Sequence, residues 1–338
     1  MRLLYLLLGM ALLWRPAPAQ DADSISIALE LNDLHFDKAE IDTMRRNIAN
    51  QQKMVDMIRE SSLPNDLSYS LVFMPPINED LLPENQSEIN WGLDENVDMP
   101  ADKSALAFFP VHQLAALIRE RKISSVELTQ LFIDRLRQYG DTLESVITIT
   151  DSLAMVQARR ADAELAQGKY RGPLHGIPYG AKDLLAVKGY KTTWGAGPYR
   201  EQVLDYNATV VEKLEEAGAV LVAKLTLGAL AMGDVWYGGK TRNPWDLTKG
   251  SSGSSAGSAA ATVAGLVPFT IGSETLGSIV SPSTRCGATG LRPTFGRVSR
   301  HGAMALSWTM DKLGPICRNA TDCALVLEVI RGTDGKDL

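Results

Sequence analysis

The sequence predicts an α/β protein, and three stretches carry that prediction. Residues 145–150 are β-rich and lead into a helical stretch capped by Asp151 and ended by Gly168. Residues 208–217 are helical in pattern and are followed by the apolar run 219–225. Residues 256–267 are rich in Ala, Val and Leu without a charge, and residues 268–272 read as a short apolar strand. Helix alternating with strand in this way builds a sheet covered by helices. No repeat with a period of about 20 to 50 residues is evident.

Taken in order, the chain of 338 residues opens with Arg2 and an apolar run over residues 3–14, and Ala17-Pro18-Ala19 supplies small residues before Gln20. That is the pattern of a signal peptide over residues 1–19, because the apolar run is too short to cross a bilayer; a retained anchor is the lesser reading. The expected consequence is export to the periplasm or the outside, with no membrane contact once the signal is removed. Residues 20–105 read as an N-terminal helical and extended arm. Asp37 with Glu40 three residues on forms an N-cap, and Ile41, Met44, Ile48, Val55 and Ile58 follow at helical spacing. Residues 63–100 are polar and punctuated by Pro64, Pro75, Pro76, Pro83 and Pro100, which predicts an irregular connection.

The main domain is expected over residues 106–338. It begins with helices at 111–121 and 125–139, the second opened by a Ser124/Glu127 capping box and stopped by Gly140. Near the far end, Asn319-Ala320-Thr321-Asp322 starts a helix through Ala324, Leu325, Leu327 and Ile330.

Composition narrows the function classes. With 45% hydrophobic and 22% charged residues and a formal net charge of -6, the chain suits a globular enzyme and not a nucleic-acid binder, which needs clustered Lys and Arg. Cys286, Cys317 and Cys323 are odd in number, no C-x-x-C occurs, and there are four His. Neither a disulfide framework nor a zinc site follows, so core thiols are expected and no cofactor is called for.

The most unusual stretch is residues 249–290, where Gly and Ser crowd together. A flexible linker would have this composition, but the loop leads straight into apolar, strand-like sequence. A phosphate-binding P-loop is excluded because no G-x-x-x-x-G-K-[ST] occurs. Gly253-Ser254-Ser255-Ala256-Gly257 fits the G-x-S-x-G nucleophile elbow, yet residues 243–249 before it carry no β run and His301 is the one downstream His. The remaining reading uses two serines, Ser254 and Ser278, joined by a helix and a strand that return one loop to the other. A serine hydroxyl needs a base, and Lys182 in Gly180-Ala181-Lys182-Asp183 is the natural candidate. Taken singly, Lys182 reads as an ion-pair partner and Ser254 and Ser258 as helix caps.

Gly172-Pro173-Leu174-His175-Gly176-Ile177-Pro178, Ala181-Lys182-Asp183, Thr241-Arg242-Asn243-Pro244-Trp245-Asp246, Ser254-Ser255-Ala256-Gly257-Ser258, Gly272-Ser273-Glu274-Thr275-Leu276-Gly277-Ser278 and Gly290-Leu291-Arg292-Pro293-Thr294 together resemble the amidase signature family. The blocks fall in family order from about residue 106 to residue 337. The resemblance implies a mixed, twisted β-sheet core flanked by helices, and a chain whose C-terminal part is missing, since the family usually continues well past this point. It also implies Ser278 as nucleophile, Ser254 as a bridging serine on a cis peptide, and Lys182 as base. Backbone N–H groups at Thr275, Leu276, Gly277 and Ser278 would form the oxyanion hole. A Lys at its ordinary pKa of about 10.4 is a poor base near neutrality, so the site must desolvate Lys182.

Three positions depart from the family pattern. Leu276 replaces a glycine, which matters if the backbone there needs positive φ or close approach to substrate. Val280 replaces an Arg, leaving Glu274 without an evident charge partner, and Ser252 and Ala256 replace glycines. The expected activity is hydrolysis of a small carboxylic amide through an acyl-enzyme. The alternatives are the glutaminase component of a tRNA-dependent amidotransferase, or a catalytically weakened relative acting as a binding protein. Neither the amide nor the oligomeric state is readable.

Overall fold

The computed structural model describes residues 22–62, 64, 91 and 96–337. The expected signal peptide and its cleavage site lie outside the described residues, as does most of the proline-punctuated connection. Two compact units are present, one before residue 88 and one from residue 88 onward. No described helix is long and apolar enough to cross a membrane.

The first unit holds helices α1 (Ala22–Glu30) and α2 (Lys38–Glu60). The predicted capping box opens α2: Glu40 N–H donates to Asp37 Oδ1 at 2.9 Å and Asp37 N–H to Glu40 Oε2 at 2.8 Å, satisfying two N-terminal donors reciprocally.

The second unit begins with α3 (Val111–Arg119) and α4 (Ser125–Leu143). The Ser124/Glu127 capping box forms as expected, but Gly140 does not stop α4, which runs on to Leu143 and ends at the left-handed Glu144. The glycine serves packing instead, because a Cβ there would lie 2.9 Å from Val146 Cγ2. Next come β1 (Val146–Ile149) and α5 (Asp151–Ala166). The N-cap of α5 is Thr150; Asp151 is its first helical residue, so the cap lies one residue before the predicted position. Then follow β2 (Pro178–Lys182), α6 (Thr209–Glu216), β3 (Val220–Leu225), the short pairs β4 (Val235–Trp236) with β5 (Gly239–Lys240) and β6 (Arg242–Asn243) with β7 (Asp246–Gly250), α7 (Ala256–Val263), β8 (Phe269–Glu274), α8 (Val280–Cys286), β9 (Thr289–Gly290), β10 (Lys312–Cys317) and α9 (Ala320–Ile330). The β6/β7 pair corrects the sequence reading that residues 243–249 hold no strand. Asp246 and Asn243 are paired across it, and its residues are polar because only Asn243 is buried and no apolar face is needed.

The main sheet has six strands in the order β1-β3-β2-β8-β10-β9. β2 is parallel to both β3 and β8, while β1, β10 and β9 join antiparallel, so the sheet is mixed. β2, β3 and β8 are buried along their whole length, which is why their sequences read as runs and not as alternations. α7 packs tightly against the end of β3: a Cβ at Gly257 would fall 2.4 Å from Ser145 O and 2.5 Å from Thr226 Oγ1, so only glycine fits. All three cysteines are free and buried in the core, as expected.

Candidate active site

β2 delivers Lys182 at its C-terminal end, where the side chain is fully buried. Its Nζ donates to Ser254 Oγ at 2.8 Å, Ser273 Oγ at 2.9 Å and Ser255 Oγ at 3.1 Å. These acceptors are hydroxyls, and the charges that act on the lysine are the carboxylates of Asp311 and Glu274. Burial pulls its pKa down from 10.5 to about 7, against the opposing pull of those two charges. A lysine so placed is readily available as a neutral amine near pH 7.

Ser254 sits between β7 and α7, and the Gly253–Ser254 peptide is cis. Ser278 follows β8 in the neighbouring loop, and the two loops are tied together where Ser255 N–H donates to Ser278 O at 3.0 Å. Ser254, Ser273, Thr275 and Ser278 line one cavity of about 250 Å³. The segment 300–308 and Asp311 line it as well. Asp311 is buried and accepts from Thr275 Oγ1 at 2.5 Å, Leu306 N–H at 2.7 Å and Ser307 N–H at 3.0 Å. One carboxylate thus joins the loop before Ser278 to the segment 300–308.

The departures seen in the sequence resolve in detail. Leu276 is 81% exposed and is not among the positive-φ residues; the left-handed position is Gly277, at φ 83°. Side-chain bulk at 276 therefore points to solvent without straining the backbone. Glu274 keeps partners despite Val280: its Oε2 accepts from Ile279 N–H at 2.8 Å and Val280 N–H at 3.0 Å, and Arg292 Nε stands 4.0 Å from Oε1. Ser252 is strained where a glycine would not be, since it holds φ 63°.

Ser254, Ser278 and Thr275 thus line one cavity, Lys182 stands behind it in hydrogen bond with Ser254, and Leu276 and Gly277 lie in the same loop as Ser278. Ser255, weighed in the sequence only as the serine of a nucleophile elbow, and Ser273, which was given no role there, complete the lysine's ring of acceptors. Asp311 also went unread, and no local pattern marks it. Behind Lys182, Asp183 Oδ1 lies 2.7 Å from Lys224 Nζ with both side chains fully buried, and Asp183 Oδ2 accepts from Thr193 N–H and Oγ1. Among the described residues no cluster of His, Cys, Asp and Glu suits a metal ion.

A mixed α/β sheet thus holds a buried lysine, ringed by serine hydroxyls, next to a small cavity that Ser254 and Ser278 line. The amidase sequence profile matches residues 127–338. The chain belongs to the amidase signature family. It is 45% identical over 230 residues to a glutamyl-tRNA(Gln) amidotransferase subunit of Coxiella burnetii, covering 67% of this chain and 47% of that protein. With the protein of the same name from Moorella thermoacetica it shares 43% identity over 235 residues, 69% of this chain and 48% of the other. Among solved structures, the native peptide amidase of Stenotrophomonas maltophilia superposes with a TM-score of 0.66 at 36% identity, covering 69% of this chain and 50% of that one. The chain spans about half the length of the curated relatives it matches.

Proposed function

We propose that this protein hydrolyses the C–N bond of a linear carboxylic amide through Ser278, Ser254 and Lys182. The observation that carries the reading is the burial of Lys182, with its pKa lowered to about 7, within 2.8 Å of Ser254 Oγ at the wall of a cavity that Ser278 also lines. Neutral Lys182 takes the proton of Ser254, and Ser254 takes that of Ser278 as Ser278 Oγ bonds to the amide carbon. The carbonyl oxygen becomes an oxyanion, received by backbone N–H groups of the Thr275, Leu276, Gly277 and Ser278 loop; one such donor is typically worth about 3 to 4 kcal/mol. Collapse of the intermediate breaks the C–N bond, and the proton returns through Ser254 to the leaving amine. Water then attacks the acyl-enzyme by the same relay, releasing the acid and restoring Ser278.

The domain limits expected from the sequence, an arm over 20–105 and a catalytic domain over 106–338, and export through residues 1–19 belong to the same proposal. A second reading is favoured by the relatives: their name makes them components of a glutamyl-tRNA(Gln) amidotransferase, and the identity of 45% is high. On that reading the amide is one whose nitrogen is passed to a partner.

The test is labelling with a serine-reactive fluorophosphonate, followed by intact-mass analysis and peptide mapping, on the wild type, Ser278→Ala and Lys182→Ala, with circular dichroism to verify folding. An adduct on Ser278 that is lost in Ser278→Ala and slowed in Lys182→Ala supports the proposal. A folded wild type that takes no label overturns it and leaves a non-catalytic relative.

A further inference from the structure

The charged groups around the cavity are already committed, and this bears on which amide can enter. The cavity is lined by the apolar side chains of Leu184, Ala231, Met304, Leu306, Trp308 and Leu313. Four charged residues also reach it, Arg300, Asp311, Lys336 and Asp337, together with His301. Arg300 makes a two-pronged ion pair with Asp337, Nε to Oδ2 at 2.8 Å and Nη2 to Oδ1 at 2.6 Å, and its Nη1 donates to Trp308 O at 2.6 Å. Lys336 Nζ pairs with Glu212 at 3.3 Å. The oxygens of Asp311 are occupied by Thr275, Leu306 and Ser307. The His301 ring tilts against Tyr206, with centroids 6.1 Å apart.

A substrate carboxylate or ammonium entering this space would lose water and find Arg300, Asp311 and Asp337 already engaged. Breaking the largely buried Arg300–Asp337 pair to receive it would leave the other charge alone, so the exchange gains nothing. An apolar group, by contrast, gains by covering the apolar wall. Size is informative too: a dry cavity of about 150 Å³ holds benzene, so about 250 Å³ admits a ring with a short linker or a branched chain.

Resting on the amidase reading above, we infer that the acyl part of the substrate is uncharged and apolar, of the arylacetyl or branched short-chain class, and that glutamine is a poor substrate for this chain despite the name of its relatives. The cavity selects by its apolar wall and by holding Arg300, Asp311 and Asp337 to the partners they already have.

The experiment is protection of Ser278 from the fluorophosphonate by phenylacetamide, hexanamide, the anionic glutaramate monoamide and glutamine, with hydrolysis of each followed by amine release. Protection by the two neutral amides at concentrations at least about tenfold below those needed for glutaramate monoamide or glutamine is expected, as is a larger kcat/KM wherever turnover is seen. Met304→Lys, which places an unpaired cation on the wall, should narrow or reverse the gap between hexanamide and glutaramate monoamide. Equal or better protection by glutamine or glutaramate monoamide, or no protection by any neutral amide, overturns the inference. Loss of labelling altogether would instead sink the amidase reading, so the two failures are distinct.

Discussion

Thr275 donates its hydroxyl to Asp311 across 2.5 Å, and through that contact the loop carrying Ser278 is fixed to the segment 300–308. Asp311→Ala removes the acceptor for Thr275 Oγ1 and for the Leu306 and Ser307 N–H groups together. An orphaned buried donor costs about 1 to 3 kcal/mol, so a fall in stability of at least that size is expected in urea unfolding, with a larger fall in kcat than in binding. Asp311→Asn keeps the shape but removes the charge that raises the Lys182 pKa, and should move the acid limb of kcat/KM to lower pH.

That acid limb is the second prediction. If Lys182 works as the neutral amine, kcat/KM rises with pH through about 7, where burial has placed its pKa. A profile flat from about pH 5 to 9 would remove Lys182 as the base.

The same shift bears on stability, with a definite sign. Between about 7 and the ordinary 10.5, unfolded Lys182 binds a proton that the folded protein has released, so this group's contribution to stability rises with pH across that window and is lowest below 7. Wild type should therefore gain on Lys182→Met between about pH 7 and about pH 9.5 when both are unfolded in urea. A difference that stays constant would mean that folded Lys182 keeps its proton.

Lys224 and Asp183 give a test independent of the chemistry. Either Lys224→Met or Asp183→Asn leaves the partner buried and unpaired 2.7 Å from where its counter-charge stood, which costs about 3 to 5 kcal/mol. The double substitution should recover part of that loss. Additive losses in a thermal-denaturation cycle would show that the two charges do not depend on each other.

Gly257→Ala tests the packing of α7. The added methyl would meet Ser145 O at 2.4 Å and Thr226 N at 2.6 Å, both backbone atoms that cannot swing aside. Overpacking of this kind costs about 1 to 3 kcal/mol, which urea unfolding against the wild type would read directly. Unchanged stability would mean that α7 can shift away from β3.

What could be read from the sequence follows the range of the forces involved. The caps at Asp37, Ser124 and Asn319 were legible because each is closed by a residue three positions on. β3 and β8 were legible as apolar runs, and Lys182, Ser254 and Ser278 from motifs whose order is fixed. The partner of Glu274 was not, because Arg292 comes from beyond the next helix and replaces a residue expected two places after Ser278. Gly140 was misread as a stop because the contact that keeps it helical is tertiary. The β6/β7 ribbon escaped because strand signals come from burial, and its residues bury little.

The three free thiols have a practical consequence. Cys286 closes α8 and lies against Ser251 O at 3.6 Å, close to the loop that carries Ser254, while Cys317 ends β10 and Cys323 lies in the first turns of α9. Burial pushes the Cys286 thiol up to about 12 and raises Cys317 as well, so neither reacts in the closed protein. Their alkylation rates are a built-in clock of local opening, which reads the serine loop and the end of β10 separately in the native chain, without any introduced label.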